Sequence, residues 1–476
     1  MSLSGYQEVA NYNDIVFPEF SGNPLIEALP KKLSKAALLD ALKVYPDLPT
    51  EFRYSGDELD REDFLYNVEL LRQPLEIYLD VYRAIERAIK QGYSSKNPLS
   101  PTTQHFLHYP VDEPTSVLPK TGKFISRGRG ITILGESGTG KTSMLEQILL
   151  NFPQVIYHKR YNGEYLGIEN QVVWIKVECP DQSSVKELCN EILSSLDEAI
   201  GAPQTKPANA PTDLMKQIEQ RIKSNHLGIL VIDEMQNICV QRTRGESGLL
   251  KFLKKIVNRI GVPIVFCANP PFDESIVKVP QTSRRVENGG GFYMNRLPRC
   301  SPSWKAFVSQ LWQLQWTNVN TPLTDALANK LYELSVGNVD FASRTYAEAQ
   351  RLVIGTGDES ICEGVLQDAY ERACIFSSRS TDMLNAKEAM IVSDEKSQRP
   401  SLVPTVTKKS SLIPSLDRPQ HPEFYDLLRT NLLSSSLRDE IGDPDLIQQA
   451  GEATCPLVYF RNKSLLCENP LTEVFF

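Results

Sequence analysis

Two apolar patterns alternate along the chain. Ile131 to Leu134, Ile229 to Ile232 and Pro263 to Ala268 are short continuous apolar runs of the length expected for strands buried on both faces. Phe292 to Asn295 is a further short strand-like run. Elsewhere apolar residues recur at helical spacing. Tyr78, Val81, Ile85 and Ile89 follow Pro74 in this way and predict an amphipathic helix over 74–91. Leu249, Leu253, Ile256 and Ile260 form a second stripe, Leu327, Leu331 and Leu334 a third, and Ala342, Tyr346, Ala349 and Val353 a fourth. Buried strands mixed with amphipathic helices predict an α/β fold, with a parallel sheet flanked by helices.

The strand-like run Ile131–Leu134 leads directly into Gly135, Glu136, Ser137, Gly138, Thr139, Gly140, Lys141 and Thr142, after which Ser143, Met144, Leu145 and Ile148 open a helix. This is a complete phosphate-binding loop in the context it requires. Its glycines let backbone N–H groups approach phosphate oxygens, Lys141 neutralises the β and γ oxygens, and the Thr142 hydroxyl is suited to a magnesium ion. ATP and Mg2+ are therefore the expected cofactors.

Acidic residues at the end of an apolar strand are unfavourable unless used, and Ile229–Ile232 ends in Asp233-Glu234. Asp233 is placed to hold the magnesium shell and Glu234 to polarise an attacking water. Asn269, at the end of the next strand, either orients that water or is an ordinary turn residue before Pro270-Pro271. Arg284-Arg285, a glycine run over 289–291, and Arg296 after the last strand follow.

This order resembles the AAA+ ATPases, P-loop proteins that pair such a sheet with a small helical lid and share nucleotide sites between subunits. The resemblance implies an arginine finger acting in trans, with Arg284 or Arg285 in its place and Arg296 as the fallback. It also implies that Arg344, which lies off the apolar face of its lid helix, either points at the nucleotide as a lid sensor or is solvated.

Several segments resemble one branch of that class, the TnsC and TniB regulators of DNA transposition. Ser21 to Pro30 is similar to an N-terminal TnsC motif, and Gly92-Tyr93 with Asn97-Pro98 to the family's pre-ATPase segment. Pro180 to Leu188 resembles its turn into a helix. Trp312 and Trp316 sit in a segment like its leucine- and tryptophan-rich helix between finger and lid. The likeness covers roughly residues 19–376 and points to the longer TnsC type. What it implies is an adaptor that assembles on double-stranded DNA as a ring or helical homo-oligomer and joins a target-selector protein to transposase subunits.

The expected organisation is an N-terminal partner-interaction region over 1–100, the ATPase domain over 101–318 and a helical lid over 319–376. A serine- and proline-rich flexible linker over 377–422 and a C-terminal docking tail over 423–476 complete it, the tail with Phe424, Leu427, Leu428 and Leu432 at helical spacing.

Net charge is -8, so no global basic field draws the chain to DNA and contact must come from local patches. Lys251, Lys254 and Lys255 share a face opposite the Leu249 stripe, while Lys159, Arg160, Arg242, Arg244 and Lys186 are further candidates. Each is equally readable as a solvated charge. Nine scattered cysteines without a C-x-x-C pair suggest neither zinc nor a disulfide framework. Without a signal-like N-terminus or a membrane-length apolar run, a cytoplasmic protein with no membrane partner is expected. Two other functional classes stay open, a helicase loader or replication-initiator ATPase and a nucleotide-gated protein scaffold. A requirement for DNA separates the scaffold from the rest.

Overall fold

The apolar runs are buried along their whole length because the sheet they form is covered on both faces. In the computed structural model the strands are β1 (Gln7–Val9), β2 (Gly130–Gly135), β3 (Val155–Tyr157), β4 (Arg160–Tyr161), β5 (Glu164–Tyr165), β6 (Asn170–Val172), β7 (Trp174–Glu178), β8 (Ile229–Asp233), β9 (Ile264–Ala268) and β10 (Gly290–Met294). The structure describes residues 5–46, 56–108, 126–180, 185–240, 256–270, 272 and 288–375. The chain divides into two compact units, 1–394 and 395–476. The expected linker and docking tail lie outside the described residues.

The main sheet is parallel, in the order β10-β2-β9-β8-β7. From β2 the chain crosses to the far edge at β7, returns through β8 and β9, then passes beyond β2 to place β10. Winding thus reverses beside β2, the position where open α/β sheets bind ligands at their carboxyl ends. Register brings those ends level: Gly135 pairs with Met294, Leu134 with Ala268, and Glu178 with Asp233. The expected parallel α/β sheet is therefore present.

A smaller sheet, in the order β1-β3-β6, pairs the N-terminus with the segment after the P-loop helix Lys141–Leu150. Strands β4 and β5 form a separate hairpin. Its turn places Asn162 and Gly163 at φ 50° and 88°, the left-handed pair that matches strand twist.

The N-terminal helix runs from Glu76 to Ser94, starting two residues later and ending three residues later than the periodicity predicts. Pro74 precedes it rather than occupying its first turn. Tyr78, Val81, Ile85 and Ile89 are all buried and share one core with Ile131, Val231, Val265 and the lid. Residues before this helix belong to the same core through Leu25, Leu38 and Val68. The lid comprises helices Asp325–Ser335, Val339–Val353 and Glu363–Ala373, and the stripes expected in the first two face inward. Trp312 lies in helix Pro302–Gln313, but Trp316 falls beyond its end, stacked on Phe64 at 4.6 Å. Among the described residues, no helix is long and apolar enough to cross a membrane.

Candidate nucleotide site

The phosphate loop leaves β2 at Gly135, where a Cβ would lie 2.4 Å from the Met294 carbonyl oxygen, so only glycine fits. Gly138 and Gly140 adopt φ 78° and 88°. Gly140 precedes the first residue of the helix, Lys141, so the loop's amides and the helix N-terminus face the same space. The loop is also held from the lid. Asn338 donates its side-chain amide to the Ser137 carbonyl at 3.0 Å, and the Asp340 N–H reaches the Gly138 carbonyl at 3.2 Å.

Lys141 is 8% exposed, and its ammonium donates to the Glu136 carbonyl at 2.7 Å. Burial pushes its pKa below the ordinary lysine value, against nearby Cys267, Asp233 and Glu234. Among the described residues no carboxylate lies within ion-pair distance of it. A buried cation held by one carbonyl suits an incoming phosphate. The Thr142 hydroxyl donates to Asp233 Oδ2 at 3.0 Å, putting a hydroxyl and a carboxylate side by side at the loop. That pair fits Mg2+, which takes one or two protein oxygens and completes its shell with water and phosphate. Lys176 approaches the same Asp233 oxygen at 3.6 Å while paired with Glu146 at 2.8 Å. The Cys267 thiol, hydrogen-bonded to Asp233, is raised well above its ordinary pKa chiefly by burial.

Glu234 sits in the left-handed region at φ 55°, with its N–H donating to Asp233 Oδ1 at 3.0 Å. Gln236 donates its side-chain amide to Glu234 Oε2 and accepts the Asn269 N–H at 2.9 Å. Glu234, Asn269 and the loop from Ser137 to Ser143 line one cleft of about 530 Å³, the size of a small-molecule site. Arg344 lines its lid side, contacting Cys374 Sγ at 3.2 Å and Asp340 at 3.5 Å.

The opposite wall is not legible in the sequence. Val68, Leu71, Arg72, Gln73, Leu75 and Tyr78 line the cleft although they precede the loop by about sixty residues. Tyr78 reads as core in the sequence, and indeed burial pushes its hydroxyl to about 12. Nothing in residues 68–78 marks a ligand wall, and neither Asn338 nor Gln236 belongs to a recognisable motif.

The arginines divide. Arg296 pairs with the acidic residue of its own phosphate loop, Nε to Glu136 Oε2 at 2.6 Å. Arg284 and Arg285 lie outside the described residues, as do Arg242, Arg244, Lys251, Lys254 and Lys255. Lys159, Arg160 and Lys186 are exposed, with Arg160 bonded to the Gly163 carbonyl of its hairpin at 3.0 Å.

A phosphate loop, an Asp-Glu strand and a polar strand end around one cleft, under a three-helix lid, define a nucleotide-binding P-loop domain of the AAA+ fold. Residues 125–276 match the family model of the AAA domain. No curated protein matches the chain. Among solved structures, the chain aligns with the Aeropyrum pernix ORC2 protein in its ADPNP-ADP complexes at 15% identity and TM-score 0.35, over 52% of this chain and 63% of that one. A Walker-type ATPase of Pyrococcus abyssi aligns at 15% identity and TM-score 0.33, over 71% and 86%. Cdc6p from Pyrobaculum aerophilum aligns at 10% and 0.36, over 52% and 62%. The chain thus spans less than two thirds of the length of the ORC2 and Cdc6p structures.

Proposed function

We propose that this chain is an ATP-hydrolysing AAA+ regulator of DNA transposition, which assembles on double-stranded DNA and connects a target selector to transposase recruitment and activation. The cleft supports the ATPase half of the reading: Lys141, Thr142, Asp233 and Glu234 stand together where phosphates, Mg2+ and an attacking water need them. Phosphoryl transfer asks little covalent chemistry of the protein, so positioning and charge carry the reaction.

The transposition half rests on the TnsC-like segments, and the observation that carries it is that they meet in space. Asn23 donates to the Tyr93 carbonyl at 2.9 Å, and Asn97 to the Gly22 carbonyl at 3.0 Å. Tyr93 in turn donates to the His226 carbonyl at 2.9 Å, just before β8. Two motifs some seventy residues apart therefore form one unit against the ATPase sheet, as parts of a shared architecture would.

In this reading an arginine of a neighbouring subunit completes the site, so assembly and hydrolysis depend on each other. Sedimentation and imaging with duplex DNA, with and without a non-hydrolysable ATP analogue, test it. Nucleotide-dependent rings or filaments on DNA are the expected result. Assembly indifferent to DNA would replace the regulator with a protein scaffold.

A further inference from the structure

Gln236 makes two bonds that no motif demands. Its Oε1 accepts the Asn269 backbone N–H at 2.9 Å, and its Nε2 donates to Glu234 Oε2. The first bond fixes the second. A backbone N–H must face the amide oxygen, so the amide nitrogen is turned toward the carboxylate. The turn carrying Gln236 is itself anchored, because the Asn237 N–H reaches the Glu234 carbonyl at 3.1 Å and its side chain reaches the Cys179 carbonyl at 2.9 Å. Glu234 has its backbone pinned by Asp233 in a conformation that non-glycine residues seldom adopt. The carboxylate then needs its own restraint, which Gln236 supplies at one oxygen while leaving the other for water.

We propose that Gln236 is a positioning residue that ties the Glu234 carboxylate to the end of β9, so that a displacement at Asn269 is passed to the group that activates water. The proposal rests on the ATPase reading above. Because the bond comes from the Asn269 backbone, the Asn269 side chain keeps its freedom to meet a ligand in the cleft. Occupation of the γ-phosphate position and alignment of the base are thereby linked through one amide.

Two substitutions in the full chain separate the halves of the bridge. Gln236→Glu keeps an acceptor for the Asn269 N–H but removes the donor to Glu234, and Gln236→Leu removes both. Single-turnover phosphate release from Mg-ATP, with duplex DNA present so that the assembly can form, and binding of a fluorescent ATP are measured for each. Both variants are expected to bind nucleotide within about twofold of the parent and to lose roughly ten- to hundredfold in rate, the scale of a misplaced catalytic group. A parental rate in Gln236→Leu overturns the proposal, and so does a loss of affinity equal to the loss of rate, which would mark a merely structural residue. If the parent binds nucleotide but releases no phosphate, the ATPase reading fails instead. The bridge is then judged by hydrogen exchange at the Asn269 amide, expected to be protected in the parent and in Gln236→Glu and released in Gln236→Leu. Equal exchange in all three would overturn it.

Discussion

The Lys141 amine sits where water scarcely reaches it, at 8% exposure with one carbonyl for company. A phosphate would supply a counter-charge there, offsetting the cost of burying an ammonium. Replacing Lys141 by Ala is expected to weaken nucleotide binding about 10- to 100-fold, the worth of one charged hydrogen bond, as read by titration with a fluorescent ATP. Glu234→Gln should behave differently. It keeps the shape of the cleft and its affinity while phosphate release drops by about 10²- to 10⁴-fold, the contribution of a general base. Parental hydrolysis in that variant would remove Glu234 from the mechanism. Both residues were legible in the sequence because their motifs are contiguous: a loop that wraps phosphate and a strand that ends in acid are local patterns. Gln236, Asn338 and Tyr78 were not, since the Asn269 amide, the Ser137 carbonyl and the cleft they meet lie far off in sequence and each looks like an ordinary polar or core residue.

At the scale of elements, the N-terminal segment is built into the lid. Arg61, in helix Glu58–Asp63, donates to both oxygens of Glu359 at 2.6 and 2.9 Å and to the Trp316 carbonyl at 3.1 Å. Both side chains are almost wholly buried. Arg61→Ala leaves an unpaired buried carboxylate and should cost about 3–5 kcal/mol in denaturant unfolding. The pair also has a pH signature. The Arg61 hydrogen bonds, helped by the N–H groups of Asn318 and Gly355 and opposed by burial, hold the Glu359 carboxyl at about 2. A free glutamate titrates near about 4.3, so the contribution is complete above that pH. It declines as acid protonates the unfolded chain first, and is gone once pH passes below the folded value. Unfolding midpoints of the parent should therefore fall over this acid range more steeply than those of Glu359→Gln; parallel curves would disprove the assignment. Helix Glu76–Ser94, the first two lid helices and strands β2, β8, β9 and β10 were readable from the apolar pattern. Strands β1, β3 and β6, each three residues long, were not. Arg61 and Glu359 carry charge, which in a sequence reads as surface.

Across the whole molecule, a net charge of -8 means that DNA affinity in the proposed function comes from local cations. Lys159 and Arg160 are exposed at the start of the β4–β5 hairpin. Changing both to Glu should lower the logarithmic salt dependence of DNA binding by about 1.8, at roughly 0.9 for each phosphate no longer neutralised. An unchanged slope would take the hairpin out of the interface. The order of phosphate loop, acid strand and Asn strand end was readable along the chain, but the level at which they meet depends on sheet register. An amphipathic helix over 74–91 implies packing on the ATPase core, and it is found there; that it shares this core with the lid was not visible, because apolar stripes do not name their partners.

The Arg61–Glu359 bond has a consequence for synthesis, since its two ends are 298 residues apart. At about 5–20 residues per second, a ribosome needs roughly 15 to 60 s to deliver the second partner after the first. During that interval the guanidinium of a nascent chain has no carboxylate to meet, and Phe64 has no Trp316 to cover it. The bond that ties helix Glu58–Asp63 to the lid therefore forms only after the lid has left the exit tunnel, whereas β1 can pair with β3 as soon as residues 155–157 are free.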